Sequence, residues 1–190
     1  PADPAPGSSA TGLYFVDVPG SAQSVLRIGY LAMPEADPEF WPAQVMNFRF
    51  GGGGFASELL LTLREGLGYT YGIGSSFAGG PRPGPFSIST AVRSNVTLES
   101  LQEIRRIMEL HATAFDAQDL EITQGFMIRD NAGAFETLGA KVGLLGSMSQ
   151  HGFAPDFQLR RAEAVQSMTV EEIRGLAARH LDPQAMAWVV

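Results

Sequence analysis

Strand patterns and helix patterns occupy separate stretches of this chain. Four strand-like segments and two helical ones lie before Asn95, everything from Asn95 to His180 is patterned for helix, and only the closing "MAWVV" reads as strand again. The resulting order, ββαα-ββ-ααααα-β, excludes both a βαβαβ alternation and an all-helical bundle. It predicts an α+β fold, a mixed and mostly antiparallel sheet with helices packed on one face. With 190 residues, a single domain buries roughly 70% of its unfolded surface and needs no staples.

The individual segments support that order. "LYFVDVPG" (Leu13–Gly20) reads as a strand followed by a Pro-Gly turn, and "SVLRIGYLAM" (Ser24–Met33) as a second strand ended by Pro34. Asp37–Pro38 signals the start of a helix whose apolar face takes in Phe40, Val45 and Phe48. A second helix is predicted over Phe55–Glu65, with Phe55, Leu59, Leu60 and Leu63 on one side. "YTYGIGSSFA" and "GPFSISTAVR" form a hairpin around the turn-rich Gly79–Gly84. A long helix follows Asn95, with a cap region at Thr97, Ser100 and Glu103 and a stripe of Leu98, Leu101, Ile104, Ile107 and Met108. Four shorter helices are predicted over Asp119–Ala132, Glu136–Gln150, Pro155–Val165 and Val170–His180, the last opened by a Thr169/Glu172 capping box.

Composition removes several function classes. The net charge is −7, Lys141 is the one lysine, and there is no basic block, so a nucleic-acid groove is not expected. The absence of cysteine excludes disulfides, thiolate metal sites and a cysteine nucleophile. No apolar run approaches the ~20 residues of a transmembrane helix. Pro1 to Ala10 is rich in Pro, Ala, Ser and Gly and lacks the apolar core of a signal peptide, so residues 1–11 read as linker and 12–190 as the domain. A linker-like start and a finish in mid-strand lead us to expect a piece of a longer protein.

Chemistry-bearing candidates are few. The run "FGGGGFASELL" lacks the Lys-Ser/Thr of a phosphate loop, and the segment before Gly51 reads as helix rather than as the strand a dinucleotide fingerprint requires. The glycines read instead as a tight helix-to-helix turn. His111, His151 and His180 are far apart and form no HxxEH or HExxH pattern, so they are expected at surfaces or helix ends and no metal site is predicted. No nucleophile elbow is present. There remain Arg64, Tyr69 and Tyr71 in "REGLGYTY". Arg64 in a last helical turn complements the macrodipole, and a strand tyrosine is ordinary packing. The same residues could equally face one cleft, where an arginine and a phenol together can hold a peptide carbonyl or a developing oxyanion.

The stretch "PEADPEFWPAQVMNFRFGGGGFASELLLTLREGLGYTYGIGSS" resembles the second domain of pitrilysin/insulinase-type zinc peptidases, with its "NxxLGGGFSSRLFxxLREKxGLAYxV" run. Asn47, Gly51–Gly54, Phe55, Ser57, Leu59, Leu63, Arg64, Glu65, Gly68 and Tyr71 fall on it. "GPFSISTAVRSNVTLESLQEIRRIM" and the closing helices and strand resemble the family's later segments in order. The resemblance implies the C-terminal, zinc-free domain of a zinc-dependent endopeptidase, inactive as an isolated chain. Zinc is then expected in an HxxEH-bearing partner domain, in cis or in trans, facing this domain across a peptide-holding chamber. It also implies that Tyr71 hydrogen-bonds the scissile carbonyl and that Arg64 holds a nearby substrate carbonyl. Tyr69 stands where the family usually has leucine, which adds a second substrate-binding phenol, and "EGLG" replaces the usual "EKRG". The same fold also serves as a non-catalytic, peptide-holding subunit, and family habit points to a periplasmic or cell-envelope setting.

Overall fold

A computed structural model describes residues 11–133 and 136–190. The linker predicted over residues 1–11 lies, up to residue 10, outside the described residues. Five strands form one sheet: β1 (Gly12–Tyr14), β2 (Gln23–Leu31), β3 (Thr70–Phe77), β4 (Pro85–Arg93) and β5 (Ala187–Val189), in the order β1-β5-β2-β4-β3. β1 runs parallel to β5 and every other pair is antiparallel. The helices are α1 (Phe40–Asn47), α2 (Glu58–Leu60), α3 (Thr97–Ala114), α4 (Ala117–Gly133), α5 (Leu138–His151), α6 (Phe157–Ser167) and α7 (Val170–His180). Element order and fold class are those the sequence predicts.

Alternation in the strands sorts the two faces. On β4, Phe86, Ile88, Thr90 and Val92 are buried while Ser87, Ser89 and Ala91 remain half-exposed. The buried set, with Leu26 and Ile28 of β2, packs against Phe40 and Met46 of α1, Ile104 and Ile107 of α3 and Ile173 of α7 in one core. At roughly 1.5–3 kcal/mol for each fully buried large apolar side chain, this single layer of contacts supplies most of the drive to fold.

Some boundaries move. The first strand shrinks to three residues, although Val16 N–H still donates to the Val190 carbonyl at 2.8 Å. Thr97 is already helical: a 3-10 turn over Ser94–Val96 precedes it, and Val96 is the cap position with no side-chain bond. Pro38 lies in the turn before α1 rather than in its first turn. The Thr169/Glu172 capping box forms as predicted, and its bonds to Thr169 hold the Glu172 carboxyl below its usual range.

Asn47 and Gln44 of α1 solve the problem of a sheet edge. β3 is the outermost strand, and the carbonyls of Ser75 and Phe77 have no strand to accept from. Asn47 Nδ2 donates to the Ser75 carbonyl at 3.0 Å and Gln44 Nε2 to the Phe77 carbonyl at 3.1 Å, while Ser75 Oγ donates back to Asn47 Oδ1. A covered edge cannot template pairing with another chain.

The histidines sit in the last turns of their helices, as expected, but not at the surface. The His111, His151 and His180 side chains are all largely buried and each faces a glutamate: Glu58 at 3.2 Å, Glu35 at 3.3 Å and Glu39 at 3.2 Å. Each pair pins a helix C-terminus to a distant segment. His180 Nδ1 also lies 2.8 Å from the Tyr30 hydroxyl of β2, so with the phenol donating, the imidazole keeps its proton on Nε2, toward Glu39. Arg179 binds the other oxygen of Glu39 at 2.8 Å. Burial, with Glu39 adding to it, pushes the Tyr30 phenol up to about 12.

Two outcomes follow. Asn47→Ala leaves the Ser75 carbonyl and hydroxyl without their buried partner and should lower unfolding free energy by about 1–3 kcal/mol in urea titrations. Tyr30 is raised above its unfolded value of about 10, so its contribution is whole below that pH and is lost as pH climbs toward 12. Urea unfolding at pH 9 and pH 11 should show Tyr30→Phe markedly less stable than the parent at pH 9, with the gap narrowing at pH 11.

Candidate functional site

The predicted helix over Phe55–Glu65 is three pieces. A 3-10 turn over Gly54–Ala56 comes first, Ser57 then takes an extended conformation (φ −96, ψ 144), and α2 follows. Gly54 needs its glycine, because it adopts φ +56. Ser57 Oγ donates back to the Gly54 carbonyl at 2.7 Å, and Arg49 donates to the Ala56 carbonyl, so the turn is fixed on both sides of Phe55. Arg49 itself is held by Asp119 of α4 at 2.8 Å. The break at Ser57 takes Phe55 out of register with Leu59, Leu60 and Leu63. Those three are buried, whereas Phe55 is 66% exposed, so the four do not share one side as expected.

Beyond Leu60 the helix widens into a π-turn, Leu61–Gly66, that carries Arg64. A second π-turn, Phe48–Gly52, continues α1 into the glycine run. Such turns are rare and frequently occur at functional sites. Gly68 at φ +62 then reverses the chain, with Tyr69 N–H donating to the Leu63 carbonyl at 2.8 Å. The β3–β4 register slips between Thr70 and Ile73, which places Tyr71 in an irregular stretch of the strand. Hydroxyls hold that irregularity: Thr70 Oγ1 donates to the Ala91 carbonyl at 2.7 Å and Thr90 Oγ1 to the Gly72 carbonyl at 2.9 Å. A slip of this kind re-aims a side chain, and Tyr71 ends 87% exposed.

Arg64 and Tyr71 do meet. The guanidinium carbon lies 5.0 Å from the centroid of the Tyr71 ring and 4.9 Å from that of Phe55, a cation–π contact with each ring. Arg64 Nε also approaches Glu65 Oε1 at 3.2 Å. Tyr69 is half-buried and is anchored by its backbone, its carbonyl accepting from Arg93 N–H at 3.2 Å. The sequence singles out Arg64 and Tyr71 but not Phe55, whose ring contacts the same guanidinium. The available signal was Ser57, a residue that favours caps and so marks a helix start after Phe55 rather than at it. Near this corner, the glycine run and the half-exposed side of β3 and β4 enclose a shallow groove of about 400 Å³, lined by Gly52, Gly74, Ser76, Ser87 and Ser89 among others.

Chemically the Arg64/Tyr71 corner can only donate from the guanidinium, and the phenol adds an O–H; the pair suits carbonyl oxygens rather than metal ions. Among the described residues no group of three or more His, Asp or Glu could hold a metal. No helix of the described residues is long and apolar enough to cross a membrane.

Comparison with known proteins defines the class. A family model described as the peptidase M16 inactive domain matches residues 2–125, and the chain belongs to that family. The resemblance to pitrilysin/insulinase-type peptidases is thereby borne out. No curated protein matches the chain. Among solved structures, the peptidase M16 inactive domain from Pseudomonas fluorescens is 25% identical with a TM-score of 0.82, over 93% of this chain and 42% of that one. A protease from Helicobacter pylori is 14% identical with a TM-score of 0.83, over 93% of this chain and 43% of that one. An inactive peptidase domain from Bordetella parapertussis, 13% identical with a TM-score of 0.71, is covered over 93% of its length by 95% of this chain. The latter two share the fold. The chain spans about two fifths of the length of the first two.

Proposed function

We propose that residues 12–190 are the zinc-free, substrate-clamping domain of a pitrilysin-type zinc endopeptidase, with residues 1–11 as the linker into it. Zinc and the attacking water belong, in this reading, to an HxxEH-bearing partner domain, in cis or in trans. The residues of this chain do not fit the metal: its three histidines are each committed to a separate glutamate at separate helix ends. The observation that carries the reading is the Arg64–Tyr71 contact on an exposed corner, built by a π-turn on one side and a strand irregularity on the other.

The two residues divide the work. Tyr71 donates its phenolic hydrogen to the scissile carbonyl oxygen as that oxygen gains negative charge, a bond stronger in the transition state than in the ground state. Arg64 donates from its N–H edge to a neighbouring substrate backbone carbonyl, which holds the extended peptide in place. Tyr69, being half-buried, is a secondary substrate contact. The half-exposed sheet face and the groove beside the glycine run suit a wall of the chamber in which the peptide lies. The periplasm or cell envelope is the setting this reading favours.

Two measurements test the assignment. In the complete protease, Tyr71→Phe should lower kcat by the order of 10²–10³ that accompanies loss of one oxyanion donor; unchanged turnover would reduce Tyr71 to a packing residue. Equilibrium dialysis of the isolated chain should find no stoichiometric zinc, and peptide cleavage by it should be absent. Tight one-to-one zinc binding would overturn the division of labour between the two domains.

A further inference from the structure

We infer that Phe55 is a positioning residue for Arg64: its ring and that of Tyr71 both contact the guanidinium and together hold it in one orientation toward the substrate. The inference rests on Arg64 acting on the substrate backbone, and it adds a residue and a purpose for the glycine run.

Four observations lead there. Phe55 is 66% exposed, so the core does not use it. Its ring nevertheless faces Arg64 at 4.9 Å, nearly the same separation as Tyr71 at 5.0 Å. The turn under it is fixed rather than loose, with Gly54 at φ +56, Ser57 Oγ bonded to the Gly54 carbonyl, and Arg49 bonded to the Ala56 carbonyl. Finally, Arg64 has a competing partner in Glu65 at 3.2 Å. An adjacent carboxylate on an exposed surface holds a guanidinium weakly. Two rings in cation–π contact restrain it differently, without consuming its N–H donors. Phenylalanine serves this better than tyrosine would at a catalytic rim, since it adds no further hydroxyl to compete for the carbonyl.

The effect of one such contact at an exposed site is about 0.5–1 kcal/mol, which corresponds to about 2–5-fold in affinity. In the complete protease, Phe55→Leu should raise KM for a peptide substrate about 2–5-fold with kcat little changed, and Phe55→Trp should restore the parent value. Because Phe55 is outside the core, leucine there does not threaten folding. The Phe55→Leu effect should vanish in an Arg64→Ala background, since the two act as one unit. A second readout is independent of activity. In the 190-residue chain the Arg64 Hε resonance should be shifted upfield by the two rings and should move downfield in Phe55→Leu. An inactive domain covering nearly the same span stands as its own chain in the Bordetella parapertussis structure.

The outcomes separate. If Arg64→Ala raises KM while Phe55→Leu leaves it unchanged, the positioning role is overturned and the Arg64 assignment stands. If Arg64→Ala itself leaves KM unchanged, the clamp assignment falls and takes the role of Phe55 with it. An Hε resonance that stays put in Phe55→Leu overturns the inference whatever the kinetics show.

Discussion

The covered edge of β3 is the constraint on which the rest of the site depends. β3 carries Tyr71 near its first residue and is the outermost strand. An outermost strand leaves carbonyls unpaired, and buried carbonyls must find donors. α1 supplies them through Gln44 and Asn47, which fixes α1 alongside β3. The π-turn that extends α1 then leads directly into the glycine run, and Arg49 within it grips both Ala56 and Asp119. Thus one edge-capping contact sets the position of α1, of the glycine turn, of Phe55 and of the helix that presents Arg64.

The three histidine–glutamate pairs act on the other side of the same frame. They tie α3, α5 and α7 to Glu58, Glu35 and Glu39, segments that precede or follow α1. These side chains are spent on holding helices. In the first and last of these pairs the histidine ring also packs edge-on against phenylalanines: Phe50 and Phe115 around His111, and Phe77 beside His180. Polar tie and apolar packing therefore coincide at the same residues.

Local signals in the sequence were legible and distant ones were not. The Thr169/Glu172 box spans four residues and is readable as written, as are the hairpin strands; the stripe of α3 is buried at Ile104, Ile107 and Met108, while Leu98 at its start is exposed. Arg64 and Tyr71 were readable as candidates, but their contact depends on two irregularities with no compositional mark. A π-turn has nearly the same apolar spacing as an α-turn over six residues, and a strand slip looks like uninterrupted alternation. Histidine burial was misjudged because each glutamate partner is more than fifty residues away in sequence. Apolar periodicity groups Phe55 with the leucines on one side only if the cap residue two positions later, Ser57, is overlooked.

The π-turn at Leu61–Gly66 has a consequence for how this corner can vary. A π-turn holds about one residue more than an α-turn, and each helical residue advances the side chain by about 100° around the axis. Removing a single residue between Leu61 and Gly66 would let the segment rewind as α-helix and turn Arg64 away from both rings. The seven-residue interval from Arg64 to Tyr71 is therefore a ruler calibrated for a widened coil. A one-residue insertion or deletion along it dismantles the corner even if every named side chain is kept.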